Sequence, residues 1–256
     1  MKSISNLKLP CPICNQDTFA LDVVDLNKSC AESWGHFLPL SGRPIYYFQC
    51  PNCQFTFAPE FREWSDQDFL DHIYNEQYIE HDPEYIKDRP QNSFNMIHSL
   101  YGIYKHQIRH LDYGGGNGAL SRLLNQEGWT SQSYDPFPVS TQEIGQLGHF
   151  NLITAFEVFE HVPDPDSLMK NLVSLMADDA VVLFSTLVSD NQIAPNARLT
   201  WWYASPRNGH ISLFSKKSLI LLGNRYGLHY ASNNNNLHCF FKQPPSWFGE
   251  FINKTS

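Results

Sequence analysis

A glycine-rich turn at residues 111–120, with the sequence LDYGGGNGAL, constrains the fold of this chain more than any other part of its sequence. The residues before it, 107–110, predict a short strand, and leucines at helical spacing after it predict a helix that ends near Gly128. Glycine tolerates positive φ angles and lets a ligand lie directly against the backbone. The helix N-terminus adds free N–H groups and the positive end of the helix dipole. The strand, turn and helix together predict a site for a nucleotide-like cofactor.

The glycine spacing fits two classes of cofactor. Gly114, Gly116 and Gly118 suit S-adenosylmethionine, whereas Gly114, Gly116 and Ala119 suit a dinucleotide such as NAD. Asp112 lies at the end of the predicted strand, where a carboxylate attracts the ammonium group of a methionine moiety and repels a pyrophosphate. The sequence therefore favours S-adenosylmethionine.

Carboxylates also follow the next two predicted strands. The strand at residues 129–134 ends in Asp135-Pro136, and a carboxylate in this place can accept hydrogen bonds from both ribose hydroxyls of either cofactor. The strand at residues 151–156 runs directly into Glu157. Acidic residues at this edge of a sheet suit a sulfonium better than a pyrophosphate.

Four segments occur in the order found in class I S-adenosylmethionine-dependent methyltransferases, and the region from about Leu111 to Leu219 resembles that family. The segments are LDYGGGNG, SYDPF, FNLITAFEVFEHVPDP and AVVLFST. The resemblance implies an α/β fold with a doubly wound, mostly parallel Rossmann-like sheet and a closing antiparallel hairpin. It also implies cofactor contacts from Asp112, Tyr113, Gly114, Gly115, Gly116, Gly118, Asp135, Pro136, Phe137, Phe156 and Glu157.

One departure from the family pattern concerns the adenine site. Only residues 136–150 separate Asp135 from the strand at residue 151, whereas related domains place a helix, a strand and a further loop there. We therefore expect either a sheet with one strand fewer or an adenine that rests on Phe137 and the region 156–159.

Composition narrows the choice of class and partners. The 256 residues suffice for one ordinary domain with a small appendage. The formal net charge of −8 repels phosphate backbones, so nucleic acid is not the expected partner. The start of the chain has no apolar core like that of a secretion signal, and no apolar run has the length that spans a bilayer. We expect a cytoplasmic protein, with no membrane partner, that acts on a small molecule.

Two C-P-x-C motifs lie near the N-terminus. Cys11, Cys14, Cys50 and Cys53 provide four thiolates, the usual ligand set of a structural zinc ion, and a reducing compartment favours metal over disulfide. A thioredoxin-like redox pair is the alternative, but such a pair needs one C-x-x-C motif and a following helix. The sequence favours a zinc-ribbon-like module, which also occurs in front of some ribosomal-RNA methyltransferases and some sugar C-methyltransferases.

The predicted domain order follows from these motifs. We expect a zinc-ribbon-like module at residues 1–60, connecting or lid helices at residues 61–106 and the methyltransferase domain at residues 107–256. Helices are predicted at residues 64–78, where Ser65 and Asp68 form a capping box, and at about residues 83–105. Aromatic side chains on this region either line a substrate pocket or pack against the core; they are Tyr74, Tyr78 and Tyr85.

A second group of candidate residues follows the last parallel strand, where the family places substrate contacts. Aromatic and polar side chains there predict a pocket wall with polar groups that orient a substrate. These candidate substrate-binding residues are Trp201, Trp202, Tyr203, Arg207 and Asn208.

Two histidines are the candidate catalytic residues. His161 follows the strand at residues 151–156 and either takes part in catalysis or makes an architectural hydrogen bond. His210 starts the sequence HISLFS, which resembles a substrate-side motif of certain sugar C-methyltransferases whose histidine is a base. Those enzymes carry Tyr-His-Glu before that histidine, whereas Arg-Asn-Gly precedes His210 here, so the acidic partner is missing. His210 is either a general base or a loop histidine that bonds to the backbone.

The sequence thus predicts in-line transfer of a methyl group to a small polar acceptor, with a sugar or nucleotide-linked sugar among the candidates. It leaves the acceptor atom and the oligomeric state open. An RNA methyltransferase that uses the zinc module for recognition, and a non-catalytic protein that binds the cofactor or serves in assembly, are the alternatives.

Overall fold

The computed structural model describes residues 8–75, 78, 88–137 and 143–249. Contacts within the chain divide it into two compact units. Unit 1 comprises Met1–Asp82, Phe159–Asp166 and Leu187–Leu222; unit 2 comprises Pro83–Val158, Ser167–Thr186 and Gly223–Ser256. Two segments of the region expected to form the methyltransferase domain therefore cluster with the N-terminal part of the chain. The expected limits at residues 1–60, 61–106 and 107–256 stay a prediction.

The strands and helices alternate along the second half of the chain, as expected for an α/β protein. The strands are β1 (Phe19–Asp25), β2 (Pro44–Gln49), β3 (Thr56–Phe57), β4 (Arg109–Tyr113), β5 (Thr130–Tyr134), β6 (Phe150–Phe156), β7 (Met176–Ser185), β8 (Ser212–Leu213), β9 (His229–Ser232) and β10 (Leu237–Phe241). The α-helices are α1 (Asp66–His72), α2 (Asp88–Tyr101), α3 (Ala119–Gln126), α4 (Pro165–Leu175) and α5 (Lys216–Arg225).

Unit 2 contains a six-stranded sheet with the order β5-β4-β6-β7-β10-β9. Strands β5, β4, β6 and β7 are parallel, and β10 runs antiparallel to both β7 and β9. The mostly parallel sheet and the closing hairpin confirm the predicted fold class. Because β5 and β6 lie on opposite sides of β4, the chain reverses its direction of travel across the sheet at β4. Ligands bind at such a switch point in open α/β sheets, beyond the carboxyl ends of the strands.

The core of unit 2 lies between the sheet and its helices. Strands β6 and β7 are apolar on both faces, as parallel strands covered on both faces are, and Leu152, Val181 and Leu183 are completely or almost completely buried. Helix α3 buries Leu120 and Leu124, one turn apart, against this core. The spacing of its leucines thus fixes which face of α3 packs against the sheet.

Unit 1 contains an antiparallel four-stranded sheet with the order β1-β2-β3-β8. Its core is aromatic: the ring of Phe214 lies 4.9 Å from that of Phe55 and 5.8 Å from that of Phe159, measured between centroids. Strand β8 reaches this sheet from a segment far along the chain and pairs with β3. The sheet therefore depends on contacts between residues distant in sequence.

The helices predicted at residues 64–78 and 83–105 are present in part. Ser65 and Asp68 form the predicted capping box of α1, which is shorter than expected, and α2 ends at Tyr101 before a 3₁₀ turn at Gly102–Gln107. Residues 83–87, including Tyr85, lie outside the described residues. A 3₁₀ turn at Ile144–Gln146 is described between β5 and β6. In the described part of the chain, no helix combines the length and apolarity needed to cross a membrane.

Candidate cofactor site, polar cluster and cysteine site

The glycine loop joins β4 to α3 at the switch point of the sheet. Gly114 and Gly118 have φ angles of +74°, a left-handed conformation that side chains with a Cβ rarely adopt. A Cβ on Gly114 would lie 2.5 Å from Val158 Cγ2, and a Cβ on Gly115 would collide with the Asp112 carboxylate. Side chains thus crowd the loop from below, and only glycine keeps its backbone in this path.

Asp112 is buried at the end of β4, and its Oδ1 lies 3.1 Å from the Thr154 hydroxyl. Burial raises the pKa of Asp112 to about 7, and the nearby charge of Asp135 adds to this rise, whereas the Thr154 hydroxyl acts in the opposite direction. A buried carboxylate gains from a cationic partner, because such a partner compensates the lost hydration of its charge. This environment is consistent with the predicted contact to an ammonium group.

Asp135 fixes the glycine loop to the end of β5. Its Oδ2 accepts a 2.7 Å hydrogen bond from the Gly116 amide, and its Oδ1 accepts a 2.9 Å bond from the Phe137 amide. Burial raises the pKa of Asp135 above its usual value, while these two amide donors oppose the rise. Each carboxylate oxygen can accept a second hydrogen bond. The predicted ribose contact is therefore compatible with the observed bonds.

Glu157 continues from β6 with a φ angle of +52°, which is rare for a residue other than glycine. The Ser185 hydroxyl accepts a 2.8 Å bond from the Glu157 amide and donates a 2.7 Å bond to Glu157 Oε1. Backbone strain of this kind clusters at functional sites, where the surroundings hold it in place. The neighbouring candidates Phe137 and Phe156 are half-buried, and Pro136 is exposed.

The residues of unit 2 fit S-adenosylmethionine. Carboxylates lie at the ends of three neighbouring parallel strands, in Asp112, Asp135 and Glu157. A Cβ at Gly114 or Gly115 of the loop beside them would collide with other side chains, so the loop exposes bare backbone. A pyrophosphate would meet these negative charges, whereas an ammonium, a sulfonium and ribose hydroxyls match them. The donor and acceptor set thus agrees with the cofactor favoured by the sequence.

Unit 1 contains a buried polar cluster around His210. The Nδ1 atom of His210 lies 2.9 Å from the Tyr203 carbonyl oxygen, and the two rings lie 4.2 Å apart. Because a carbonyl only accepts hydrogen bonds, Nδ1 carries a proton, so that in the neutral form of the ring Nε2 is the basic nitrogen. The Tyr203 hydroxyl donates a 2.5 Å hydrogen bond to Glu160, which is fully buried.

His161 belongs to the same cluster. Its Nδ1 lies 3.1 Å from the Tyr74 hydroxyl, and its ring centroid lies 5.0 Å from that of His210. No acidic residue stands just before His210 in the sequence. Glu160, from a different segment, supplies an acidic group to the cluster. Both candidate catalytic histidines therefore lie together, and their roles stay predictions.

The predicted substrate-binding residues differ in what they contact. Arg207 is buried; its Nη1 donates to the Ile73 carbonyl (2.8 Å) and its Nη2 to Asn75 Oδ1 (3.1 Å). Asn208 is also buried, and its Oδ1 accepts from the Cys30 amide at 2.8 Å. These two residues hold segments of unit 1 together. The accessibility of the aromatic candidates decreases from Trp202 (39%) through Trp201 (7%) to Tyr203 (2%).

The four cysteines of the two C-P-x-C motifs converge in unit 1, and their sulfur atoms all lie within 4.8 Å of one another. The Sγ–Sγ distance is 3.5 Å between Cys11 and Cys53 and 3.4 Å between Cys14 and Cys50. These distances exceed the length of a disulfide bond, about 2.05 Å. They approach the spacing of about 3.8 Å that four Zn–S bonds of about 2.3 Å require. The donor set therefore suits a tetrahedral zinc ion.

The comparisons with known proteins agree with this geometry. The model of a family described as "Methyltransferase domain" matches residues 78–233, more than half of the chain. The chain belongs to this family. The class I methyltransferase suggested by the sequence is thereby confirmed, and the dinucleotide interpretation of the glycines is not supported.

Two curated methyltransferases are similar to this chain over only part of their length. The ubiquinone biosynthesis O-methyltransferase of Bordetella avium (strain 197N) is 34% identical over 38% of this chain and 54% of the relative. The protein of the same name from Acinetobacter baumannii (strain ACICU) is 35% identical over 30% of this chain and 33% of the relative. The chain thus spans about half of the first relative and a third of the second.

Two solved methyltransferase structures match this chain at low sequence identity. The 1,6-didemethyltoxoflavin-N1-methyltransferase of Burkholderia thailandensis, solved with 1,6-didemethyltoxoflavin and S-adenosylhomocysteine, has a TM-score of 0.47 at 14% identity. The match covers 80% of this chain and 96% of that protein. A magnesium protoporphyrin IX methyltransferase from Synechocystis PCC 6803, with bound SAH, has a TM-score of 0.41 at 14% identity and covers 71% of this chain and 95% of that protein.

The sequence-based reasoning missed several residues that shape these sites in the methyltransferase. Glu160 is fully buried beside His210, and the sequence around it, which contains further charged residues, gives no signal of that position. Ser185, which holds Glu157, gave no signal, because serine at a strand end is common. His110 and Asp112 alternate on one strand, and this pair of polar residues in a strand was the available signal for a buried network around Asp112.

Replacing Gly114 by alanine should lower the stability of the methyltransferase, because the new Cβ meets Val158 and the backbone keeps its left-handed φ angle. We expect a loss of about 2–4 kcal/mol in the free energy of unfolding, measured in urea. Gly227→Ala is the matched control, since Gly227 has a φ angle of +68° but no atom within 4 Å of its Cβ position. It should lose only about 1–2 kcal/mol.

A Val158→Ala change in the Gly114→Ala protein should restore part of the loss, because it removes the methyl group that meets the new Cβ. Equal losses for Gly114→Ala and Gly227→Ala would contradict the crowding described for the loop.

Proposed function

We propose that this chain is an S-adenosylmethionine-dependent methyltransferase that modifies a hydroxyl group of a small polar molecule. The supporting observation is the pair of carboxylates, Asp112 and Asp135, at the ends of adjacent strands beside the glycine loop of a methyltransferase-family chain. The relatives from Bordetella avium and Acinetobacter baumannii are named as O-methyltransferases, which favours an oxygen nucleophile. Sugars stay within the proposed acceptor class, together with other small hydroxyl compounds.

In this proposal, the cofactor is held by its two polar ends. Asp112 accepts hydrogen bonds from the ammonium group, and Asp135 accepts them from the ribose hydroxyls while it keeps the loop amide of Gly116 in place. Phe137 and Phe156 offer apolar surface for the adenine. Bound S-adenosylmethionine supplies a methyl group activated by its sulfonium. The protein then has to orient the acceptor in line and exclude water.

His210 is the proposed general base. Its Nδ1 proton is held by the Tyr203 carbonyl, so that Nε2 presents a lone pair to the acceptor hydroxyl. A neutral imidazole is a suitable proton acceptor for this task. Tyr203 contacts both His210 and the buried Glu160: its carbonyl accepts a hydrogen bond from His210, and its hydroxyl donates one to Glu160. These contacts hold the His210 ring in place.

The proposal predicts that extract incubated with the protein and an isotope-labelled methyl donor contains a labelled small molecule detectable by mass spectrometry. Asp135→Ala should bind the donor about ten- to a hundredfold more weakly in calorimetry, because charge-assisted hydrogen bonds of about 1.5–3 kcal/mol are lost. Glu143→Ala, which removes an exposed carboxylate, should bind normally. Donor binding without any labelled product would favour a non-catalytic role, and labelled RNA would favour the nucleic-acid alternative.

Replacing His210 by alanine should lower turnover of the identified acceptor by about 10²–10⁴-fold, the usual contribution of a general base. Cofactor affinity, measured by calorimetry, should stay within about twofold of wild type, which also reports that the fold is intact. His229→Ala removes an exposed histidine and is the control. Unchanged turnover in His210→Ala would exclude His210 from proton transfer.

We further propose that the four cysteines bind one structural zinc ion, since four thiolates leave no ligand position open for a reactant. Mass spectrometry of the purified protein should find one zinc per chain, and Cys53→Ser should lose the metal and melt at a lower temperature. Cys30→Ser, which lies outside the group of four, should keep one zinc per chain. A metal-free protein with unchanged thermal stability would rule out the structural role.

A further inference from the structure

A continuous row of buried polar side chains crosses unit 2 and ends at Asp112. Its members are Ser121 on α3, Ser131 on β5, His110 and Asp112 on β4, and Thr154 on β6, each at most 8% exposed. Successive hydrogen-bonding atoms lie 2.7–3.1 Å apart. A polar row through the interior of a sheet is costly unless every member is paired, so the positions of its protons are restricted.

The direction of the hydrogen bonds follows from one end of the row. The Ser121 hydroxyl lies 2.8 Å from the Gln132 carbonyl, which only accepts, so Ser121 donates there. Ser131 must then donate to Ser121, over 2.9 Å. Since the Ser131 proton is committed, His110 Nδ1 must carry a proton and donate it to Ser131, over 2.7 Å. The tautomer of His110 is therefore fixed by its neighbours.

The other nitrogen of His110 and the Asp112 carboxyl group compete for a single hydroxyl. Thr154 Oγ1 lies 2.9 Å from His110 Nε2 and 3.1 Å from Asp112 Oδ1. The Leu111 carbonyl, at 3.5 Å, is at the outer limit of a hydrogen bond. Thr154 has one proton to donate. With a neutral His110, Thr154 donates to Nε2, and Asp112 is paired with Thr154 only as a carboxylic acid that donates to it.

The alternative arrangement carries the same number of protons. An ionised Asp112 accepts from Thr154, and Thr154 accepts from a doubly protonated His110. Burial lowers the pKa of His110 to about 3 and raises that of Asp112 to about 7, so the neutral pair is favoured in the free protein. If the proton shared by His110 and Asp112 were lost, His110 Nε2 and the Asp112 carboxylate would both be acceptors, and the Thr154 hydroxyl could donate to only one of them.

We propose that His110 and Thr154 are positioning residues that keep Asp112 protonated until the ammonium group of the cofactor arrives, which makes cofactor binding release a proton. The inference rests on the proposed function, since it takes the ammonium contact of Asp112 from there. In the step, the Asp112 O–H bond breaks and its proton passes to the buffer, and the resulting carboxylate accepts a hydrogen bond from the ammonium group. Thr154 turns its proton from His110 to Asp112.

The other charged groups around this row stay in place in the proposed step. Asp135, at the end of β5, raises the pKa of Asp112 by its charge. Glu157, beyond β6, accepts from Ser185, and Arg122 on α3 donates to the Asn117 carbonyl. The negative charge of Asp135 makes a second buried carboxylate unfavourable before the cation binds, which supports a neutral Asp112 in the free protein.

The first test uses the unaltered protein. The affinity for S-adenosylhomocysteine, measured by calorimetry between pH 5 and 7.5, should fall up to tenfold per pH unit below a midpoint near 7. Because Asp112 binds the ammonium group only when ionised, affinity is complete above the pKa of the free protein and is lost below it. Calorimetry at pH 6 in buffers of different ionisation enthalpy should give release of about one proton per cofactor bound.

A nucleoside thioether that lacks the amino-acid part, 5′-methylthioadenosine, should bind without this proton release. Proton release that is equal for both ligands, or that is absent for S-adenosylhomocysteine, would overturn the inference. Loss of binding of both ligands at every pH would instead contradict the proposed function itself.

The second test changes the competition for the Thr154 proton. In His110→Leu, which has a similar volume, Thr154 can donate to Asp112 alone, so the midpoint should fall by about one pH unit and affinity at pH 5.5 should rise up to tenfold. Adding Thr154→Val removes the donor again and should return the midpoint upward. Lost packing alone moves no midpoint, and a midpoint that is unchanged in His110→Leu would overturn the inference.

Discussion

The hydrogen bond between the Gly116 amide and the Asp135 carboxylate holds the cofactor side of unit 2 together. It fastens the glycine loop, which leaves β4, to the end of the neighbouring strand β5. The same carboxylate is the proposed ribose ligand, so the loop position and the ligand contact depend on one side chain. Val158 and Asp112 fill the space below the loop and exclude any larger residue there. The backbone is thereby shaped before a cofactor binds.

The sequence was sufficient for the parts of the fold that local patterns determine. The turn at residues 111–118, the capping box of α1 and the hairpin of β9 and β10 follow from glycine, serine, aspartate and alternating apolar residues, and the structure contains them. The convergence of the four cysteines also followed from their spacing. These features share one property: each is encoded by residues whose chemistry has few structural alternatives.

Contacts between segments that are distant in the chain could not be predicted from the sequence. Arg207 and Asn208 stay predicted substrate contacts. The sequence did not indicate that they also bond to the backbone and side chains of residues 30 and 73–75 of unit 1. Glu160 lies close to His210, and Tyr203 contacts both residues, through its hydroxyl and its backbone carbonyl. No local pattern reports such partners, because the folded chain and not the residue spacing brings them together.

The pairing of β3 with β8 has a consequence for folding during synthesis on the ribosome. Strand β3 emerges early in synthesis, whereas its partner in the sheet of unit 1, Ser212–Leu213, is synthesised much later. Phe55 and Phe159, which contact Phe214 in the folded protein, lack this contact until Phe214 has been synthesised. Strand pairs between distant segments form slowly, and apolar surface that is exposed in the meantime promotes aggregation. We therefore expect the aromatic core of unit 1 to be open to aggregation until β8 has been synthesised and has paired with β3.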